Sequence, residues 1–148
     1  MANGAPIVAR NLLGARLARP LDGGRCWFDG RPLFGHSKTL RGVFSALLLT
    51  ALTAPLLGYG VRLGLSVGAL AMAGDLLSSF LKRRLGLAPS SMALGLDQIP
   101  ESLLPALVLR GAFGLDGDEV LTVSGAFFLL GLVLSALLYA VGIRKQPY

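Results

Sequence analysis

The chain has 148 residues, 53% hydrophobic and only 15% charged, with a formal net charge of +6 and a mean hydropathy of +0.66. Soluble domains carry about 25% charged residues, and here the apolar residues run in long blocks rather than amphipathic stripes, which excludes an ordinary soluble domain and argues for an integral membrane protein. One cysteine, Cys26, and one histidine, His36, exclude an internal disulfide and leave little basis for a zinc site or a catalytic triad.

Residues 1–41 are polar, basic and rich in glycine and proline. The PLDGG and FDGRP clusters are turn chemistry, glycine supplying positive φ and proline fixing φ. A disordered cytoplasmic tail is one reading. Trp27, Phe28, Leu33 and Phe34 favour the other, a cytoplasmic segment that packs on the membrane or on the membrane domain itself, residues 42–148. No secretory signal is expected, because the first apolar block follows this long basic stretch. His36 reads as a loop histidine.

Four membrane-length blocks follow. Val43–Val61 is uncharged, with Pro55 placed to kink its outer half. Leu63–Leu81 holds one charge, Asp75. Ile99–Leu115 is interrupted by Glu101, Pro105 and Arg110 and is short for a full crossing. Val120–Ile143 is uncharged, with small residues suited to close helix packing, and a homodimer is among the arrangements it allows. The expected fold is all-α, a polytopic helical bundle of about four transmembrane helices with a cytoplasmic N-terminal loop segment.

Charge sets the orientation. Lys38 and Arg41 precede the first block, Lys82-Arg83-Arg84 follow the second and Arg144-Lys145 follow the fourth, whereas the DGDE loop has no cation. Four crossings put every basic cluster on one side, so both termini are expected to be cytoplasmic in a multi-pass protein of the cell membrane. Arg62 is left at an outer helix end, where it can snorkel. This distribution accounts for the positive charge that in a soluble chain would suggest nucleic acid, so no nucleic-acid partner is expected.

The stretch GDLLSSFLKRR, residues 74–84, carries the chemistry. On a helix Asp75, Ser78 or Ser79, and Lys82 share a face, with Asp75 about 10 Å from Lys82 along the axis. An intramembrane carboxylate is costly and calls for an offset. Mg²⁺ favours carboxylate and phosphate oxygens, and Lys and Arg suit phosphates, so the face fits a metal-bound polyphosphate entering from the cytoplasm. The structural alternatives are an Asp75–Arg110 ion pair and a stop signal made by the KRR run. In LDQIPES, Asp97 and Glu101 lie one turn apart with Gln98 beside Asp97, and helix capping by Asp97 is the alternative there.

Three ordered stretches, ANGAPIVARNLLG, PLDGGRCWFDGRPLFGHSKTLRG and GDLLSSFLKRRLGLAPSSMALGLDQIPES, resemble the CDP-archaeol synthase family, compact relatives of the CDP-diacylglycerol synthases. The resemblance spans most of residues 2–105. It implies a membrane cytidylyltransferase that joins CTP and an acidic lipid phosphate, phosphatidate or an archaetidate-like lipid, into CDP-lipid and pyrophosphate with Mg²⁺. Ser79, Lys82, Arg83 and Asp97 match the S-x-x-K-R element and following acidic residues of the larger relatives. Asn3 and Pro6 fall in the ANGAPI-like motif, which in the family usually follows a hydrophobic helix; this chain starts at Met1-Ala2-Asn3.

On this reading Asp75, Lys82 and Asp97 are catalytic, and Asp75 and Asp97 hold Mg²⁺. The substrate-binding set is Asn3, Pro6, Lys38, Thr39, Arg41, Ser78, Ser79, Arg83 and Gln98. Lys38, Thr39 and Arg41 stand at the head of the first helix, whose amino end favours anions. A small transporter or channel with Asp75 in an ion path is the rival. It requires polar residues through to the outer side, and polarity here is concentrated at the cytoplasmic half. A membrane scaffold would leave Asp75, Asp97 and SKTLRG unexplained.

Overall fold

The computed structural model describes residues 18–88, 91, 93 and 95–140; Asn3, Pro6, Arg144 and Lys145 lie outside the described residues. Among the described residues five helices form: α1 (Leu40–Leu56), α2 (Val61–Arg84), α3 (Gln98–Val108), α4 (Arg110–Phe113) and α5 (Gly117–Ala140). Ahead of them, the described residues form the isolated bridges Pro20–Thr39 and Cys26–Pro32. Among the described residues two helices, α2 and α5, are long and apolar enough to cross a membrane.

Helix boundaries depart from the apolar blocks at two places. In the first block Pro55 lies in the last turn of α1. The helix ends at Leu56, because Gly58 turns the chain at φ +81° and Val61 already belongs to α2. The third block is not one helix. α3 stops at Val108, Leu109 breaks the run, and the four residues of α4 end on left-handed Gly114. With 11 residues, α3 reaches about 16 Å at 1.5 Å per residue, roughly half the thickness of a hydrocarbon core.

α1 packs on α2, α2 on α3, and α3 on α5. The seams are built from small residues. A Cβ on Gly64 would fall on the Thr50 carbonyl oxygen, and one on Gly68 would fall on the Thr50 hydroxyl. The Gly64/Gly68 pair has the four-residue spacing that lets two helix backbones approach closely. At Gly74 a Cβ would meet the Pro100 carbonyl oxygen and lie 2.7 Å from Glu101 Cα, so α2 and α3 touch there backbone to backbone.

The distribution of side chains is inverted relative to a water-soluble bundle. Ala46, Ala51, Ala54, Ala71 and Ala106 are buried together with Arg41, Lys82, Arg83 and Glu101. Phe44, Leu48, Leu52 and Leu56 follow one another at four-residue spacing along α1 and are 62% to 84% exposed. In hydrocarbon, large apolar side chains gain nothing by moving inward, so small residues make the seams and polar groups turn to one another.

Candidate active site

The site is assembled at the end of the bundle where α1 begins and α2 ends, and the loop of residues 18–39 builds it. Asp22 is its organiser. One carboxylate oxygen accepts the Gly24 N–H at 2.9 Å, and the other accepts Phe34 and Gly35 N–H at 3.0 and 2.9 Å. Burial alone would push this carboxyl up, but the backbone N–H groups of Phe34, Gly24 and Gly35 hold it below the ordinary value. The Leu21 N–H donates to the Lys38 carbonyl at 2.8 Å, and the Leu40 N–H donates to the Arg19 carbonyl at 3.1 Å, so the two ends of the loop lie side by side.

A reciprocal clasp ties this loop to α2. The Arg31 guanidinium donates to the carbonyls of Arg83 and Arg84 at 3.3 and 2.6 Å, and the Arg83 oxygen also accepts the Gly86 N–H at 3.1 Å. Arg84 donates back to the Pro32 carbonyl and to Asp29, both at 2.7 Å, and lies over the Phe80 ring. Trp27 meets the same ring edge-on at 5.5 Å between centroids.

With the loop clasped, Lys38 projects onto α2. Its Nζ lies 2.6 Å from both carboxylate oxygens of Asp75, and both side chains are largely removed from solvent. This corrects the Asp75–Arg110 pairing: Arg110 is exposed on α4, and the partner of Asp75 is Lys38. Thr39 caps α1, its hydroxyl accepting the Gly42 N–H at 3.2 Å, and Arg41 is buried in the first turn.

A second ion pair lies toward the end of α2. Lys82 Nζ is 2.6 Å from Asp97 Oδ1 and also donates to the Ser91 carbonyl at 2.9 Å. Asp97 occupies the residue before α3 but makes no side-chain cap; its other oxygen accepts the Ala93 N–H at 3.2 Å. Gln98 accepts the Gly95 N–H at 3.0 Å. Buried Arg83 donates to the Ala88 carbonyl at 2.8 Å. Its Nε and the Ser91 hydroxyl are buried with no hydrogen-bond partner.

Ser78 is fully buried and donates back to the Gly74 carbonyl at 2.9 Å, and Ser79 is buried beside it. Lys38, Asp75, Ser78, Ser79, Lys82, Arg83 and Asp97 thus lie along the second half of α2 and among the residues paired with it, while Arg41 is buried at the start of α1 and Gln98 opens α3. Asp22, Asp29 and Arg31 complete the site without having stood out in the sequence beyond their turn motifs. Chemically, the region offers cations for phosphate oxygens and two carboxylates that could hold a metal ion.

On the other half of the bundle lies a cavity of about 530 Å³, lined mostly by apolar groups including Leu57, Leu63, Val67, Phe113 and Phe127, with Glu101 and Ser102 toward the middle of the bundle.

No protein-family model matches the chain. It is similar to proteins named CDP-archaeol synthase: one from Aeropyrum pernix is 35% identical over an alignment covering 100% of this chain and 86% of that relative. Another, from Sulfurisphaera tokodaii, is 31% identical over 100% of this chain and 89% of that relative. The chain belongs to the CDP-archaeol synthase family. With a CDP-archaeol synthase from Pyrococcus furiosus the identity is 39% over 109 residues, which span 66% of this chain and 60% of that longer relative. A solved structure, described as an intramembrane enzyme for archaeal membrane lipids biosynthesis, superposes with a TM-score of 0.75 at 30% identity, covering 90% of this chain and 85% of its own. Family membership and the outward-facing apolar residues agree on a membrane setting for the site.

Proposed function

We propose that this protein is a membrane cytidylyltransferase that transfers CMP from CTP to an acidic lipid phosphate and releases pyrophosphate. The observation that carries the reading is the pairing of Lys38 with Asp75 and of Lys82 with Asp97 in a chain of the CDP-archaeol synthase family. In the reaction a lipid phosphate oxygen forms a bond to the α-phosphorus of CTP, and the bond from that phosphorus to the pyrophosphate oxygen breaks. Such chemistry needs positioning and charge neutralisation more than covalent catalysis. Lys82 and Arg83 bind the nucleotide phosphates and stabilise the leaving pyrophosphate, with Arg83 Nε and the Ser91 hydroxyl as unused donors. Lys38, at the head of α1 and paired with Asp75, adds a further contact to the nucleotide phosphates.

Among the described residues no group of three His, Cys, Asp or Glu side chains could hold a metal by itself. Two carboxylates completed by substrate phosphates are the donor set that Mg²⁺ commonly takes, so Asp75 and Asp97 fit it. Bound there, Mg²⁺ would supply positive charge against the triphosphate. We place this end of the bundle, both termini and the loop of residues 18–39 on the cytoplasmic side, with the DGDE turn outside. The apolar lining of the cavity on the other half supports a transferase over an ion path, which would need polar groups through to the outer end.

Purified protein incubated with labelled CTP, Mg²⁺ and a panel of ether- and ester-linked lipid phosphates tests the reading. Labelled CDP-lipid is expected, with CTP preferred over ATP and GTP. Equal use of all three nucleotides would contradict it.

A further inference from the structure

The groups assigned to the metal and those assigned to the phosphates hold each other. Both Asp75 oxygens are engaged by Lys38. The oxygens of Asp97 are taken by Lys82 and the Ala93 N–H. A bare divalent cation arriving at this site must displace a lysine from a carboxylate and leave that ammonium, partly buried, without its counter-charge. A bare triphosphate meets the converse obstacle, because each lysine it recruits strands a carboxylate next to its own negative charge. Both obstacles vanish when the two arrive together: the cation takes the carboxylates while the phosphates take the lysines, and every charge keeps a partner.

We propose that the ligand of this site is the metal–triphosphate chelate taken as a single unit, and that the Lys38–Asp75 pair is the element that excludes either half alone. The inference rests on the cytidylyltransferase reading. The geometry favours Lys38–Asp75 over Lys82–Asp97 for this role. It is bidentate, and it joins two separate parts of the fold, the loop ahead of α1 and the middle of α2. Lys82 and Asp97 have additional backbone partners, Ser91 and Ala93, that remain when the pair opens. Metal and nucleotide must therefore raise each other's affinity by the same factor, and that factor must depend on Lys38.

The test is binding to the full chain in detergent, read as melting temperature and as Kd by calorimetry, with no turnover required. Mg²⁺ alone, CTP with EDTA, and Mg²⁺ with CTP are compared in the wild type, in Lys38→Gln and in Asp75→Asn. In the wild type, Mg²⁺ alone and CTP alone are expected to give no shift at concentrations where the mixture gives one of several degrees. In Lys38→Gln, Asp75 is released and Mg²⁺ alone should bind at least tenfold more tightly than to the wild type. In Asp75→Asn, Lys38 is released and metal-free CTP should gain by a similar factor. Should Mg²⁺ alone bind wild type and Lys38→Gln equally, the exchange is wrong while the transferase reading stands. Should the mixture fail to bind the wild type at all, the transferase reading falls and the inference with it. The wild-type comparison decides the matter even where a variant folds poorly, since independent binding of Mg²⁺ and metal-free CTP would overturn the proposal.

Discussion

Lys38 Nζ stands 2.6 Å from both carboxylate oxygens of Asp75, so a residue of the loop ahead of α1 neutralises a carboxylate in the body of α2. A charge in the middle of an apolar helix is costly when unpaired, and this contact answers that cost within the protein. The same contact makes the loop of residues 18–39 part of the bundle, because displacing the loop would uncover the carboxylate.

The pair should be visible in a double-mutant cycle. Lys38→Gln and Asp75→Asn are each expected to lower the melting temperature in detergent, and the double variant should recover much of the loss. A fully buried pair costs roughly 3–5 kcal/mol when one partner is removed. This one is partly solvent-accessible, so the loss should fall below that range. Asp75→Asn should also abolish transfer. Losses that merely add in the double variant would mean the two side chains are not coupled.

Arg110 provides the contrast. It is exposed and away from Asp75, so Arg110→Gln should change stability by no more than about 0.5 kcal/mol and leave CTP binding intact. A large loss of stability would restore the Asp75–Arg110 pairing that the positions of these residues suggest.

At Gly74 the backbones of α2 and α3 leave no room for a Cβ. Gly74→Ala should cost about 1–3 kcal/mol as an overpacked seam. It should also weaken nucleotide binding, because α3 carries Gln98 and follows directly on Asp97. Gly125→Ala on α5, where nothing lies within 4 Å, should be close to neutral. Comparable melting temperatures for the two variants would contradict the contact.

Asp22 sets a pH dependence. Its carboxyl is held below the ordinary 3.8, so its contribution is fully present above about pH 3.8 and is lost as pH falls below that value through the folded pKa. Hydrogen exchange at the Phe34 and Gly35 amides should accelerate in that acid window. In Asp22→Asn the two amides should exchange fast at every pH, with a stability loss of about 1–3 kcal/mol from donors left without their carboxylate. Unchanged protection in the variant would remove Asp22 from its organising role.

The orientation is open to labelling. Exposed Cys26 should react with an impermeant thiol reagent only when the cytoplasmic face is accessible. A Gly117→Cys variant built on Cys26→Ser should react only from outside. Gly117→Cys labelled from the cytoplasmic face alone would place the acidic turn and the site on the same side and overturn the proposed topology.

The apolar blocks were legible in the sequence because hydrocarbon selects on composition: runs of Leu, Val and Ala separated by charges mark the helices whatever packs against them. The same holds for the face of α2, where three- and four-residue spacing alone places Asp75, Ser78, Ser79 and Lys82 near one another. Where α1 stops and why the third block breaks at Leu109 were less legible, since these depend on single residues of special backbone geometry such as Gly58 and Gly114. The partners of the charges were not legible at all. The sequence offered Arg110 as the pairing cation for Asp75 and Lys38 as a phosphate ligand. Only the folded loop decided between them. Asp22 gathers backbone amides 12 and 13 residues away, Arg31 and Arg84 clasp the loop to α2, and Lys38 is thereby brought onto Asp75. Hydrophobic periodicity is a local property and can be read along the chain, whereas ion pairing across a bundle depends on where several weak loop contacts jointly hold one ammonium group.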